Sequence, residues 1–367
     1  MNHRLWTIAA LLATTGACVT PPPRVGGPLR AVWVTRFDYR TEPDVRRVVA
    51  ECADAGFNAL MFQVRGNGTA FYRSELEPWA DELGGVDPGY DPLEVAVEAA
   101  HARGIELHAW VNVIPSWRGA RPPRDPRQLY NARPDWHWVD QRGERQPLTE
   151  GFYVSLNPCL PEVRRYLVDV FREIVAGYDV DGLHLDYVRF VDERTPPGRD
   201  YPRDPRTVAM FSAETGSLPK TNGAAWKRWR GDQVTALVRA IGEMIDEARP
   251  GTVLSAAVGA TPEGPTDAHY RDSARWAREG LVDAVFPMNY SADPSEFARR
   301  TAAWAGLGTS TRVVTGIHVG PDRSETVLRQ EFAAALRRSP HVSLFAYSYL
   351  FGADGRASRL APMLNAP

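Results

Sequence analysis

The chain has 367 residues, 44% hydrophobic and 24% charged, with a formal net charge of -2. That is enough for one large α/β domain or two average ones. The near-neutral balance argues against a nucleic-acid binder, which carries a basic surplus or stripe, and no low-complexity tract suggests a disordered chain.

In chain order, Met1 to Ala17 opens with His3 and Arg4, runs through an apolar stretch from Leu5 to Ala13, and ends in small residues. This is the pattern of a bacterial secretory signal over residues 1–17. Thr15-Gly16-Ala17-Cys18 resembles a lipobox, with threonine where leucine is usual, so Cys18 is expected to be lipidated and to become the first mature residue. The apolar run is too short to span a bilayer as a stable helix. "VTPPPRVGGP" then reads as a tether, so residues 18–28 join an anchor to a single domain over 29–367. Cys52 lies in a helical pattern and Cys159 follows an Asn-Pro turn; both are expected as buried free thiols.

From Leu29 strand and helix patterns alternate. "LRAVWVTRF" predicts a first strand and residues 43–55 a helix. "FNALMFQV" predicts a second strand, with a helix near 91–103. "GIELHAWVNV" predicts a third strand, followed by a long loop rich in Arg, Pro and Trp to Pro158. "PEVRRYLVDVFREIVAGY" is an amphipathic helix with proline at its start. "VDGLHLDY" predicts the fourth strand, and a second long loop leads to a helix near 224–248. "TVLSAAVGA", "LVDAVFPMNY", "TRVVTGIHVG" and "HVSLFAYSYLFG" predict the last four strands, with helices between them. Eight strands in strict alternation with helices predict a (β/α)8 TIM barrel, with long loops after the third and fourth strands. No G-x-G-x-x-G turn follows the first strand, so a dinucleotide fold is disfavoured.

Chemistry in such a barrel sits at the C-terminal strand ends. Those ends are polar here. Thr35, Arg36 and Asp38 close the first strand, and Gln63 and Arg65 the second. His108, Trp110 and Asn112 share one face of the third. His184 and Asp186 share one face of the fourth, with Arg189 beyond. Glu263 follows the fifth, Asn289 and Tyr290 end the sixth, and His318 lies on the seventh. Each alone has a structural explanation: a hydrogen-bonded core histidine, or Asp186 paired with Arg189 or Arg65. Together they predict a polar mouth. A metal-dependent hydrolase using His108, His184 and His318 lacks recognisable ligand spacing, so no metal and no cofactor is expected. A serine or cysteine nucleophile lacks its elbow signature. A carboxylate among donors, ringed by Trp and Tyr, suits sugars, whose C–H faces stack on rings and whose hydroxyls need donors and acceptors.

"LRAVWVTRFDY", "FNALMFQVRGNGTAFYRSELEPWA", "GYDPLEVAVEAAHARGIELHAWVN", "DGLHLDYVRF", "WKRWRGDQVTALVRAI" and "GLVDAVFPMNY" together resemble the glycosyl-hydrolase-10-like family of bacterial envelope proteins. The resemblance implies a sugar-cleaving barrel, often lipid-anchored, and one branch is similar to peptidoglycan hydrolases acting on peptide-free glycan strands. It implies mouth roles for Arg65, His108, Trp110, Asn112, Asp186, Arg189, Asn289 and Tyr290. Many relatives have a second Asp where Tyr187 stands here. "DGLHLDY" and "PMNY" are also similar to chitinase-type barrels, but Val188 occupies the place of their proton-donating Glu, so that mechanism does not carry over intact. The missing second acid is expected from a loop carboxylate, with Glu263 favoured over Asp38, Asp192 and Asp293. Arg189 and a protonated His184 are expected to hold Asp186 ionised.

The expectation is a glycosidase of the bacterial envelope, lipid-anchored and facing the periplasm, with the outer membrane preferred over the inner as the site of the anchor, acting on peptidoglycan glycan strands. Asp186 and Glu263 are its catalytic carboxylates, and His184 joins the other mouth residues in binding substrate. The alternative is a catalytically inactive glycan-binding lipoprotein.

Overall fold

The computed structural model describes residues 27–191, 196–264, 267, 269–352 and 355–364. The expected signal, Cys18 and most of the tether lie outside the described residues. The strands are β1 (Arg30–Val34), β2 (Ala59–Arg65), β3 (Glu106–Asn112), β4 (Pro115–Gly119), β5 (Thr149–Ser155), β6 (Gly182–Asp186), β7 (Val253–Val258), β8 (Ala284–Pro287), β9 (Arg312–Val313), β10 (Thr315–His318) and β11 (Val342–Phe345). Nine of them form one parallel sheet in the order β10-β11-β1-β2-β3-β6-β7-β8-β9. β9 and β10 are two halves of one chain run. The first half pairs with β8 and the second with β11, and a parallel bridge from Met288 to Gly316 brings the sheet ends together. The result is a nearly closed barrel wrapped by helices, the predicted fold class.

The helices form where apolar residues recur at helical spacing behind a capping residue. In α1 (Glu42–Asp54) Thr41 and Asp44 make a capping box, and Val45, Val48, Val49 and Cys52 are buried against the barrel. In α2 (Pro92–His101) the Asp91 carboxylate accepts from the first-turn amides. α3 (Leu129–Ala132) is a single turn. α4 (Pro161–Gly177) buries Val163, Leu167, Val170, Phe171, Ile174 and Val175, each worth about 1.5–3 kcal/mol of transfer free energy. α5 (Pro205–Thr215), α6 (Gly223–Ala248), α7 (Ser273–Arg278), α8 (Pro294–Ala305), α9 (Glu325–Leu336), α10 (Tyr347–Leu350) and α11 (Arg356–Leu364) complete the wrap. None of the described helices is long and apolar enough to cross a membrane. Cys52 and Cys159 are buried free thiols.

Three segments differ from expectation. The region after β3 is not a plain loop: β4 and β5 pair antiparallel there and stand over the barrel mouth. The region after β6 contains α5. The last strand stops at Phe345, and Tyr347 to Leu350 turn into α10.

Strand alternation divides the apolar residues into two cores. Val32, Leu60, Phe62, Leu107, Ala109, Leu183 and Leu185 face the helices. Ala31, Trp33, Ala59, Met61, Trp110, Ala284 and Phe286 fill the barrel interior. The register sets the layers inside: His108 lies beside Gly182, Trp110 beside His184, and Asn112 beside Asp186. Asp186 is thus in the top layer, at the C-terminal end of β6.

Candidate active site

A cavity of about 270 Å³ opens at the C-terminal strand ends, lined by Trp33, Thr35, Arg36, Phe37, Gln63, Trp110, Asn112, Tyr153, Asp186, Tyr187, Arg189, Ala257, Met288, Tyr290 and Phe345. Asp186 is its single carboxylate among the described residues, and is 8% exposed. Burial pushes its carboxyl above the ordinary carboxylate range. The Tyr187 amide, which donates to Oδ1 at 2.6 Å, the guanidinium groups of Arg189 and Arg271, and the nearby Trp110 indole oppose that shift without cancelling it. The Trp110 Nε1 stays short of a geometrically sound hydrogen bond and has no other partner.

This corrects the expected electrostatics. His184 is not protonated: burial, with His108 close by, depresses its pKa far below that of a free imidazole. Its Nε2 accepts from the Trp33 indole at 3.1 Å, leaving Nδ1, 2.9 Å from the Ser255 hydroxyl, to carry the proton. His184 therefore holds a cavity wall from beneath and gives Asp186 no positive charge.

Aromatic rings form the walls. Tyr290 stacks on Phe345 at 5.5 Å between centroids, and Trp33 packs edge-on against Phe345 and Phe286. Tyr153 meets Tyr187 at 5.1 Å, and the Arg189 guanidinium lies 4.8 Å over the Tyr187 ring. Tyr187, directly after Asp186, has φ +48°, a left-handed conformation that is costly for a tyrosine. The turn sends the chain away from the strand line just beyond the carboxylate. Burial and neighbouring Asp186 raise the Tyr290 hydroxyl well above the ordinary phenol range, so it remains a donor. On the other rim, the Gln63 amide donates to Asn112 Oδ1 at 3.2 Å. Arg36 donates to Glu82 at 2.9 Å and to the Tyr153 hydroxyl at 3.3 Å. Gly66 permits this approach, since a Cβ there would come within 2.6 Å of the Arg36 guanidinium.

The structure brings Thr35, Arg36, Gln63, Trp110, Asn112, Asp186, Arg189 and Tyr290 to one cavity, and places the remaining candidate residues elsewhere. Arg65 faces outward because β2 bulges between Gln63 and Arg65, flipping the alternation. It is fully buried, gripping Glu77 through Nε and Nη2 and donating to the Asn112 and Val113 carbonyls. His108 lies two layers below Asn112 on the same strand, 3.2 Å from Glu106. His184 is one layer below Asp186. Asn289 points out of the barrel, donating to the Phe297 carbonyl and Thr301. Glu263 does not line the cavity, because the buried Arg271 holds its carboxylate at 2.5 Å. Asp38 accepts from Thr35, Asp293 caps α8, and Asp192 lies outside the described residues. Among the described residues no three His, Cys, Asp or Glu side chains converge to hold a metal.

Trp33, Phe37, Tyr153, Tyr187 and Phe345 line the cavity without having been singled out. For Trp33 and Phe345 the signal existed: they share parity with the interior positions of their strands. Tyr153 arrives on β5, inside a segment that read as loop.

Known proteins resemble this chain in sequence and in fold. The glycosyl hydrolase-like 10 family pattern matches residues 28–323. Glycosyl hydrolase DigH of Escherichia coli (strain K12) is 26% identical over 334 residues, covering 80% of this chain and 72% of DigH. Glycosyl hydrolase YngK of Bacillus subtilis (strain 168) is 28% identical over 299 residues, covering 71% of this chain and 54% of YngK. Among solved structures, the PgaB (BpsB) glycoside hydrolase domain from Bordetella bronchiseptica superposes with a TM-score of 0.66 at 14% identity, over 93% of this chain and 99% of that domain. The catalytic domain of β-amylase from Paenibacillus polymyxa gives 0.61 at 11%, over 92% and 97%. These solved structures share the barrel fold with this chain. With the family pattern spanning most of its length and its cavity at the strand ends of such a barrel, the chain belongs to the glycosyl hydrolase-like 10 family and is a glycan-acting hydrolase of the glycosidase class.

Proposed function

We propose that the protein cleaves peptidoglycan glycan strands, with Asp186 as the catalytic proton donor, and that it does so in the bacterial envelope, tethered through a lipid on Cys18. The observation that carries the catalytic part is the position of Asp186: a buried carboxyl with a raised pKa, at the strand end of a glycosidase barrel, among stacked rings and hydrogen-bond donors. A carboxyl whose ionised form is disfavoured by burial is suited to general acid catalysis. Its proton passes to the glycosidic oxygen as the C1–O bond breaks. No second carboxylate lines the cavity among the described residues, and this favours attack by the sugar's own 2-acetamido oxygen on C1. Tyr290, a permanent donor, holds that acetamido oxygen. Water then opens the cyclic intermediate and returns a proton to Asp186. Trp110 and Tyr187 offer faces for ring stacking, and Asn112 and Arg189 bind hydroxyl or acyl oxygens. The choice of peptidoglycan rests on the sequence resemblance and the expected secretory signal.

The test is release of reducing ends from purified peptide-free glycan strands. Wild type is expected to release them, and Asp186→Asn to bind the strands without turnover. Binding without release by the wild type overturns the reading in favour of a glycan-binding protein.

A further inference from the structure

His318, at the end of β10, does not line the catalytic cavity, yet it and the loop after it enclose a residue that does. Its ring lies against Tyr290 at 5.7 Å between centroids and stacks on Phe345 at 6.3 Å. Its Nε2 is 3.1 Å from Asp322 Oδ1. Gly320 leaves room for that return, since a Cβ there would come within 2.7 Å of the same oxygen. The other Asp322 oxygen pairs with Arg323. Arg323 is 8% exposed, and its Nη2 donates to the Tyr290 carbonyl at 2.7 Å. Behind it Glu331 of α9 is buried, with Oε1 3.8 Å from Arg323 Nε and no hydrogen-bond partner for either carboxyl oxygen among the described residues. The loop itself is fixed from two sides. The Val319 amide donates to the Phe345 carbonyl at 3.0 Å, and Arg356 donates to the carbonyls of Val319, Gly320 and Arg323. Tyr290 stands past the end of β8 at Pro287, so its place depends on partners outside the sheet.

We propose that Arg323 is a positioning residue for the glycan contact made by Tyr290: with His318 and Asp322 it clamps the tyrosine by ring and backbone, so that the hydroxyl meets the acetamido oxygen at one fixed place in the cavity. The clamp acts on both ends of the residue. A guanidinium donates to a carbonyl more strongly than a neutral group does, which fixes the backbone. His318 and Phe345 confine the ring. Asp322 serves both halves, one oxygen towards His318 and the other towards Arg323. Glu331 sets a negative charge behind the guanidinium, which offsets the burial of Arg323 without any contact to substrate. Misplacing a contact group by about 1 Å can cost on the order of 100-fold in rate. The proposal rests on the role given to Tyr290 above and adds to it residues that touch no sugar.

The experiment is a double-mutant cycle between Arg323→Gln and Tyr290→Phe, read as kcat and KM on an N-acetylated, peptide-free glycan oligosaccharide. Arg323→Gln alone is expected to lower kcat/KM by about tenfold, mostly through kcat. In the Tyr290→Phe background no hydroxyl is left to place, and the same change is expected to cost about twofold or less. Arg323→Gln/Glu331→Gln removes the stranded charge. It is expected to regain melting temperature but not kcat, and it stands in for the single variant in the cycle if that one does not fold. Arg329→Gln removes an exposed charge on the same helix as Glu331 and is expected to change neither. Equal losses in both Tyr290 backgrounds, a kcat that returns with the melting temperature, a loss in KM alone, or unchanged kinetics overturns the proposal. Failure of the Tyr290 reading looks different: Tyr290→Phe alone is then without effect, and the clamp falls with it. Should the wild type bind the oligosaccharide without cleaving it, the hydrolase reading fails, and the same cycle read in Kd decides the clamp by the same pattern of coupling.

Discussion

Replacing Arg65 by Met separates a structural role from a substrate role. Both side chains of the Arg65–Glu77 pair are fully buried, at 2.7 Å. Arg65 also donates to the Asn112 and Val113 carbonyls, so it clamps the exit of β3 from behind. Met keeps the apolar stem but strands the Glu77 carboxylate, whose remaining side-chain partner is the Tyr166 hydroxyl at 3.3 Å. Breaking a buried pair from one side costs about 3–5 kcal/mol. With an unfolding entropy of about 2.1 cal/mol/K per residue over a domain this size, that corresponds to a melting temperature lower by about 4–7 °C. The assay is urea unfolding alongside kcat/KM measured well below the transition. The expected result is lost stability with kcat/KM within about threefold of wild type. Arg65→Met/Glu77→Leu, which removes the stranded charge, should recover part of the loss. Unchanged stability with kcat/KM reduced a hundredfold would place Arg65 on the substrate and refute the bulge argument.

His137 gives a pH test. Burial, aided by Arg145, lowers its pKa from 6.5 to about 4. The folded state therefore holds the neutral ring while the unfolded state takes up a proton, and stability is lost as pH falls from about 6.5 towards 4, by roughly 3 kcal/mol. His184 acts in the same direction. Urea unfolding across that window should show a shallower acid loss for His137→Gln than for wild type; identical slopes would remove His137 as a cause. Tyr290→Phe keeps the stack on Phe345 but deletes the hydroxyl donor, and should lower kcat/KM by about 10- to 100-fold with unchanged melting temperature. Unaltered kinetics would mean that Tyr290 only packs.

The strand alternation readable in "ELHAWVN" and "GLHLD" put His108, Trp110, Asn112, His184 and Asp186 on the interior face, and there they are. Periodicity fixes the face but not the depth. Neither the bottom-to-top order of layers nor the mouth's height follows from a period of two, so the histidines were expected at the rim and lie beneath it. Arg65 was misplaced by one inserted residue, because a bulge reverses parity without a local marker here. Asn289 was legible: Phe286, Met288 and Tyr290 share a face, so the residue between the last two points outward. The hairpin-like pair β4 and β5 was hidden because "PSWRG" and "TEGFYVS" are short, glycine-bearing and lack alternation. Apolar lining residues such as Trp33 escaped a search made for polar groups, although a sugar site needs both.

The role of Asp186 is tested most directly by the dependence of Asp186→Asn on the leaving group. Wild type and variant are compared on an N-acetylated oligosaccharide, whose sugar leaving group needs a proton, and on the matching aryl glycoside with an acidic phenol, which does not. A proton donor predicts a loss of about 100- to 10,000-fold on the oligosaccharide and a far smaller one on the aryl glycoside. An equal loss on both substrates, or full activity on the oligosaccharide, contradicts it.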